Sequence, residues 1–418
     1  MKHSRKRKSC RLCDNSRLDL VIPLAPTPLA EKYFHDSETA GSQQFYEMDL
    51  YMCRDCGCVQ LLEVVDPKVL WDDYTYHSGQ TRGILDHFED CAQRIFERHA
   101  PAKESLVVDI GSNDGSLLRC FQKRGLRVLG IDPATEIARK ATQSGIETMA
   151  EFLTWDLAEQ VKSKHGPASI VTAFNVFAHT DDMQAMAQSI RHLLAPDGLF
   201  VFEVSYLLDI IDGMLLGTFF HEHLCHHSVS SLDKFLERNG LQLIDVQRVS
   251  IQGGSLIGTA QLVGGSLPVS PSVQASLELE DKRMLNHPDG IRSFADKLNN
   301  LHCEVSELSA AWKDQDKSIA GFGAARSGNT LIAQMGLGAS ISFIVDDHPQ
   351  KVNKYIGGYG IPVLPTSELN RRQPDYTFIL AWIHAKKIIA GNQEYLKSGG
   401  KFVVCCPDLK IIDASSSF

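Results

Sequence analysis

Apolar positions gather along this chain in two long blocks of short β-rich runs, each interleaved with helical rhythm. In the first block, residues 105–110, 127–131, 169–174, 198–203 and 256–262 are compact runs dense in Val, Ile, Leu and Phe, and they predict strands. Residues 183–194, between two of these runs, read as a helix. Ahead of the block, Ile84, Phe88, Cys91 and Ile95 fall on one helical face within a segment spanning 70–97. The second block has runs at 318–323, 340–345, 378–382 and 401–405. Residues 266–286 separate the blocks. They are polar with few strand signals, although 276–284 has helical character, and they mark the passage between domains. Strand and helix alternating in this way predict an α/β fold with doubly wound sheets.

A length of 418 residues exceeds what one core organises, so two or three domains are expected. Hydrophobic residues at 43% and charged residues at 22% are the balance of a soluble protein. The net charge of −9 argues against an extended nucleic-acid surface, which needs clustered Lys and Arg. Residues 2–11 are the basic exception, read as a solvated, frayed tail or as a weak polyanion contact. No apolar run follows them as in a secretory signal. The most apolar stretch, 201–220, carries Glu203, Asp209 and Asp212, so no membrane span is expected. The expected location is the cytoplasm, where the eleven cysteines are not expected to form disulfides.

Four of those cysteines form two CxxC pairs, Cys10 with Cys13 and Cys53 with Cys56. Each pair bends the chain so that two thiolates converge, and two pairs supply a tetrahedral zinc site. Thirty-nine residues lie between the pairs and offer no base or nucleophile with a partner, so the Zn2+ is expected to be structural. Cys58 is a stray fifth thiol at a spacing less suited to a ligand.

The first block contains a second signature. The run at 105–110 meets Gly111-Ser-Asn113-Asp114-Gly115, a helical stretch follows, and the run at 127–131 ends in Asp132, 21 residues beyond Gly111. Glycines at such a turn let the backbone approach a ligand, and the acid at the second strand's end accepts hydrogen bonds from ribose hydroxyls. A dinucleotide needs a turn that welcomes a pyrophosphate. Asn113 and Asp114 make this turn acidic, which suits the sulfonium and amino groups of S-adenosylmethionine. A dinucleotide and a purely architectural turn remain open alternatives. Asn175 to His179 follows the run at 169–174 and is expected at the mouth of the cofactor crevice.

Downstream, His221-Glu222-His223 stands with His226 and His227, after Phe220. The spacing is not HExxH, so a zinc protease is excluded. A surface histidine cluster and a general base at the cofactor site are the two readings. In the second block, the run at 318–323 enters a turn carrying Arg326, Ser327 and Asn329, and the next run ends at Asp346. A cation at a helix N-terminus fits a phosphate; a non-binding repeat is the alternative.

These motifs, in this order, resemble the three-domain sugar C-methyltransferases of deoxysugar biosynthesis, the group that includes the tetronitrose C-methyltransferase. The resemblance spans nearly the whole chain: both CxxC pairs, Pro28-Leu-Ala30, Tyr74-Thr-Tyr76, Asp109 to Gly115, Asn175 to His179, His221 to His223, Gly253-Gly-Ser255, Gly321 to Ala324, Gly328-Asn329, Asp346 and Lys351. It implies a zinc module over 1–70, an S-adenosylmethionine-binding methyltransferase domain over 71–265, and a second Rossmann-like domain over 266–418 that helps to hold a nucleotide-linked keto-sugar. Carried over by position, Tyr76, His179, Glu222 and His223 are the catalytic candidates. Gly111, Asn113, Asp114, Gly115, Asp132 and Asn175 are assigned to the cofactor, and Phe220, His221, Arg326, Asn329 and Lys351 to the substrate. The chemistry implied is removal of a proton beside a ketone, with His223 as base, and transfer of methyl to that carbon; the sequence leaves the choice between His221 and His223 open. Departures cluster where substrate should lie: Phe220 for a tyrosine, Gln252 for a histidine, Ser327 for a lysine, and Gly357-Gly358 for Pro-Gly. Methylation of oxygen or nitrogen on another carbonyl-bearing metabolite therefore stays open, as does a zinc protein directed at nucleic acid. A nicotinamide oxidoreductase is the least supported. The expected partner is a small molecule rather than nucleic acid or membrane, acted on by a monomer or small homo-oligomer.

Overall fold

The computed structural model describes residues 3–71, 79 and 83–416. The first block of runs becomes one sheet of seven strands: β1 (Leu106–Ile110), β2 (Arg127–Ile131), β3 (Thr148–Met149), β4 (Ala168–Phe174), β5 (Leu194–Ser205), β6 (Leu241–Val249) and β7 (Ser255–Leu262). Their spatial order is β3-β2-β1-β4-β5-β7-β6. Neighbours from β3 to β5 run parallel, and β7 runs antiparallel to both β5 and β6. All five residues of β1 are buried, as expected for a central parallel strand covered by helices on both faces. On one face, the helix Ile84–His99 lays Ile84, Phe88, Cys91, Ala92 and Ile95 against Val107, Ile170 and Val201. The order turns back between β1 and β4, so a crevice opens outside their carboxyl ends.

The zinc module is not a free-standing bead. Its strands Leu18–Ile22, Leu50–Cys53 and Val59–Leu61 are joined by Cys225–His226, which comes from the loop after β5. The basic start is ordered rather than frayed: Ser4–Lys6 pairs antiparallel with Glu63–Val65, and Arg5, Arg7 and Arg11 all reach Asp181. The expectation of a solvated tail is corrected by this pairing.

The second block forms a sheet of eight strands, in the order Lys410–Ile412, Lys401–Val404, Tyr376–Ile379, Ile319–Phe322, Ile344–Val345, Ile361–Leu364, Lys354–Ile356 and Tyr33–Phe34. The last of these belongs to the N-terminal module and pairs antiparallel with Lys354–Ile356. The polar stretch between the blocks is also structured. It holds the helix Pro271–Lys282, and the 27-residue helix Pro288–Asp314 follows, burying Ile291, Phe294, Leu298, Leu301, Val305 and Trp312 along one stripe. Among the described residues, no helix is long and apolar enough to cross a membrane.

Candidate active site

The turn after β1 is built from backbone conformations that side chains resist. Gly111, Asn113 and Gly115 have φ of +68°, +49° and +73°. A Cβ at Gly111 would overlap Cγ2 of Val176, and one at Gly115 would stand 2.9 Å from Cγ2 of Ile146. Asn113 N donates to Asp132 Oδ2 at 2.9 Å, and Ala134 N donates to Asp132 Oδ1 at 2.9 Å. The acid ending β2 therefore braces the turn from the neighbouring strand. Burial pushes the Asp132 carboxyl up, opposed by those two amides. Asp114 is used locally: Oδ1 accepts from Ser116 N at 3.1 Å and Oδ2 from Gly79 N at 2.9 Å. Asn175, at the end of β4, also takes positive φ, +58°, and its N–H donates to Glu203 O at 2.9 Å. Beneath them Asp109 is held by the Thr172 hydroxyl at 2.6 Å, while burial pushes its carboxyl up to about 7.

After β4, Val176 covers Gly111 and the 3₁₀ turn Phe177–His179 sets His179 beyond that strand's carboxyl end. His223 meets it from the loop after β5, with ring centroids 5.0 Å apart and planes 27° from parallel. The ring of Phe220 lies 4.0 Å from that of His223. His223 Nδ1 is 2.8 Å from the carbonyl oxygen of Thr218. A carbonyl only accepts, so Nδ1 carries the proton and Nε2 the lone pair. Burial, with Arg326 adding to it, lowers the His223 pKa to about 4. His179 is also lowered, by burial first and then by His223 and Arg326.

The other members of the motif point elsewhere. His221 is buried against the Tyr46 ring, with centroids 5.5 Å apart. Glu222 crosses to the C-terminal domain, where its Oε2 accepts from Arg326 Nη1 at 2.6 Å. Arg326 also sits 5.5 Å over the Phe220 ring. His226 and His227 are fully buried, so of the two readings of the histidines the surface cluster does not hold.

Not every assigned residue joins this group. Tyr76 lies outside the described residues. Asn329 is buried and donates to Leu29 O at 3.0 Å. Lys351 donates to Ala324 O at 2.8 Å and pairs with Glu31 at 3.1 Å. Sequence reasoning missed Glu280, Trp382 and Asp181. Glu280 is fully buried and accepts from Tyr206 OH, Val229 N and Ser230 N at 2.9, 2.6 and 2.9 Å, which anchors the chain just after His227. Trp382 has a buried indole N–H without an acceptor among the described residues, close to Gly217. No local pattern announces Glu280 or Asp181, because their partners are distant in sequence.

The four cysteines of the CxxC pairs do converge: their sulfurs all lie within 4.8 Å of one another, and Cys10–Cys56 and Cys13–Cys53 are each 3.5 Å apart. Three are buried and the fourth is half-buried, and Gln60 Nε2 donates to Cys10 Sγ at 3.1 Å. A closed set of four soft ligands with a supporting hydrogen bond fits a structural zinc ion. Cys58 stays outside this set, 4.0 Å from Cys225.

Known proteins resemble the chain along its whole length. A family model described as a zinc binding domain matches residues 10–71, one described as a methyltransferase domain matches 85–246, and one described as a C-methyltransferase C-terminal domain matches 250–407. The C-methyltransferase NovU of Streptomyces niveus is 33% identical over 409 residues, covering 98% of this chain and 97% of the relative. The mitochondrial ubiquinone biosynthesis O-methyltransferase of Bos taurus is 28% identical over 170 residues, covering 36% of this chain and 45% of the relative. Among solved structures, magnesium protoporphyrin IX methyltransferase from Synechocystis, with bound SAM, aligns with a TM-score of 0.33 at 17% identity, over 46% of this chain and 88% of that one.

Proposed function

The chain belongs to the C-methyltransferase family, and from that premise we propose that it moves a methyl group from S-adenosylmethionine to a carbon beside the ketone of a nucleotide-linked sugar. The observation that carries the proposal is the tautomer of His223. With Nδ1 donating to Thr218 O, the lone pair on Nε2 is left for a substrate proton, beside His179 and at the mouth of the crevice.

The turn fits the donor. Gly111 and Gly115 let it close tightly against Val176 and Ile146, and the carboxylates of Asp114 and Asp132 give it the charge that a cationic nucleoside prefers. Asp132 and Asn175 would hold the nucleoside, and Asn113 and Asp114 the charged end. Bound there, S-adenosylmethionine supplies an electrophilic methyl group. The protein's own task is to make the nucleophile. His223 takes the proton from the carbon at Nε2, and the electron pair moves into the ketone, leaving its oxygen negative. His179 is neutral because burial lowers its pKa, so it offers an N–H to that oxygen without a full charge. Tyr76 is assigned as a second donor. Arg326, in the first turn of the helix Arg326–Gln334 and tied to Glu222, is the cation that would face the sugar's diphosphate.

Calorimetric titration with S-adenosylmethionine, S-adenosylhomocysteine and NAD tests the cofactor: the first two bind at micromolar concentration and the third does not. Incubation of candidate keto-sugar nucleotides in D2O with S-adenosylhomocysteine then tests the reaction. Deuterium enters the carbon beside the ketone, and His223→Ala slows that exchange about 10²–10⁴-fold. The methyltransferase half also resembles O-methyltransferases, and methyl transfer without any exchange would favour that chemistry instead.

A further inference from the structure

Asp181, two residues beyond His179, gathers three arginines from the zinc module. Arg11 Nε donates to its Oδ1 at 3.0 Å, Arg7 Nη1 reaches Oδ1 at 3.3 Å and the Asp181 carbonyl oxygen at 3.1 Å, and Arg5 reaches Oδ2. Arg11 is 1% exposed and its Nη2 has no acceptor among the described residues. Burying a guanidinium that is not fully paired opposes folding. Packing alone gives no reason for it, since an apolar side chain would fill that space at lower cost.

The chain of contacts gives a reason. Gln60 donates through Nε2 to Cys10 Sγ at 3.1 Å, and its Oε1 accepts from Arg11 N at 3.0 Å. Arg11 then holds Asp181, two residues beyond His179 in the chain. A second path runs through the backbone: Leu61 N donates to Leu224 O at 3.0 Å, and Leu224 N donates to Ala178 O at 2.9 Å. Both histidines are thus referenced to one strand of the zinc module, His223 through the residue after it and His179 through the residues on either side.

We infer that Asp181 is a positioning residue, through which the zinc module sets where His179 stands against His223. The inference rests on the reading of these two histidines as the reacting pair. None of the contacts invoked involves a residue assigned to S-adenosylmethionine, so cofactor affinity is not expected to depend on Asp181.

The test uses the full-length, zinc-loaded chain labelled with 15N-histidine. Imidazole signals of His179 and His223 are assigned by loss in His179→Gln and His223→Gln. In Asp181→Ala, and to a smaller extent in Asp181→Asn, the ring signals of His179 shift, while those of His165 and His348 stay in place. Zinc content remains one per chain, and affinity for S-adenosylhomocysteine changes less than twofold. Should Asp181→Ala fail to fold, the nearly isosteric Asp181→Asn still reports. Unmoved His179 signals in a folded, zinc-loaded variant overturn the inference. The signals need neither substrate nor cofactor, so an unmodified chain that fails to bind S-adenosylmethionine would sink the functional reading without deciding this one.

Discussion

Thr218 contributes a single carbonyl to the site, and that oxygen decides the chemistry of His223. By fixing the proton on Nδ1 it leaves Nε2 basic, while burial lowers the pKa to about 4. A base must be unprotonated to act, so activity is lost as pH falls through about 4 rather than through the ordinary histidine value near 6.5. A profile of kcat/KM against pH therefore stays flat from pH 7 to about 5 on its acid side; an inflection near 6.5 would assign the base elsewhere. At this scale the sequence was informative about residue types and silent about directions. His221, Glu222 and His223 are adjacent, yet one faces Tyr46, one Arg326 and one His179. A strand reading would have put the two histidines on one face. The turn that separates them depends on contacts with three different parts of the chain.

Elements near the site are held by polar groups as much as by apolar ones. The loop carrying the histidines runs into the helix Val229–Arg238, whose first turn is gripped by Glu280 from the helix Pro271–Lys282. Glu280→Ala would strand Val229 N, Ser230 N and the Tyr206 hydroxyl in a dry interior. Each buried group left unpaired costs about 1–3 kcal/mol, so the expected loss is several kcal/mol, read as a lower urea midpoint at unchanged slope. A loss near 0.5 kcal/mol, the size of a surface substitution, would show that the loop has other support. Elements with strong apolar periodicity, such as β1, β2 and β4, were legible in the chain. β6 was not, because the register shift between Leu243 and Asp245 breaks its alternation. Pro288–Asp314 was missed for a related reason: its apolar stripe is narrow, and the polar residues between its contacts dilute it.

Over the whole molecule, buried histidines outnumber the groups that oppose them. His221, His223 and His227 are lowered to about 4, 4 and 3 by burial. Between pH 6.5 and 4 the unfolded chain protonates them and the folded chain does not, so each removes stability as pH falls, by up to ~1.4 kcal/mol per pH unit. Asp109, raised to about 7, has the opposite sign over the same window and offsets one of the three. His87 is raised to about 10 because Cys91 and Glu203 outweigh its burial; its contribution is complete below pH 6.5 and is lost as pH climbs toward 10. Stability therefore peaks near neutrality. Urea midpoints at pH 5.5, 6.5, 7.5 and 9, with zinc content checked at each, should fall on both sides of that peak. Midpoints that rise steadily toward pH 5.5 would mean that the histidines are hydrated.

The eighth strand of the C-terminal sheet has a consequence for how the molecule is made. Tyr33 and Phe34 leave the ribosome about three hundred residues before the edge, Lys354–Ile356, that they complete. During synthesis the amino-terminal segment must wait unpaired while the middle domain forms, and the edge it will cover is bare until the two ends meet. A fragment beginning after the zinc module would keep that edge open for good, offering it to the same edge of another copy. The three parts can be told apart by eye, but they cannot be cut apart without leaving a raw seam.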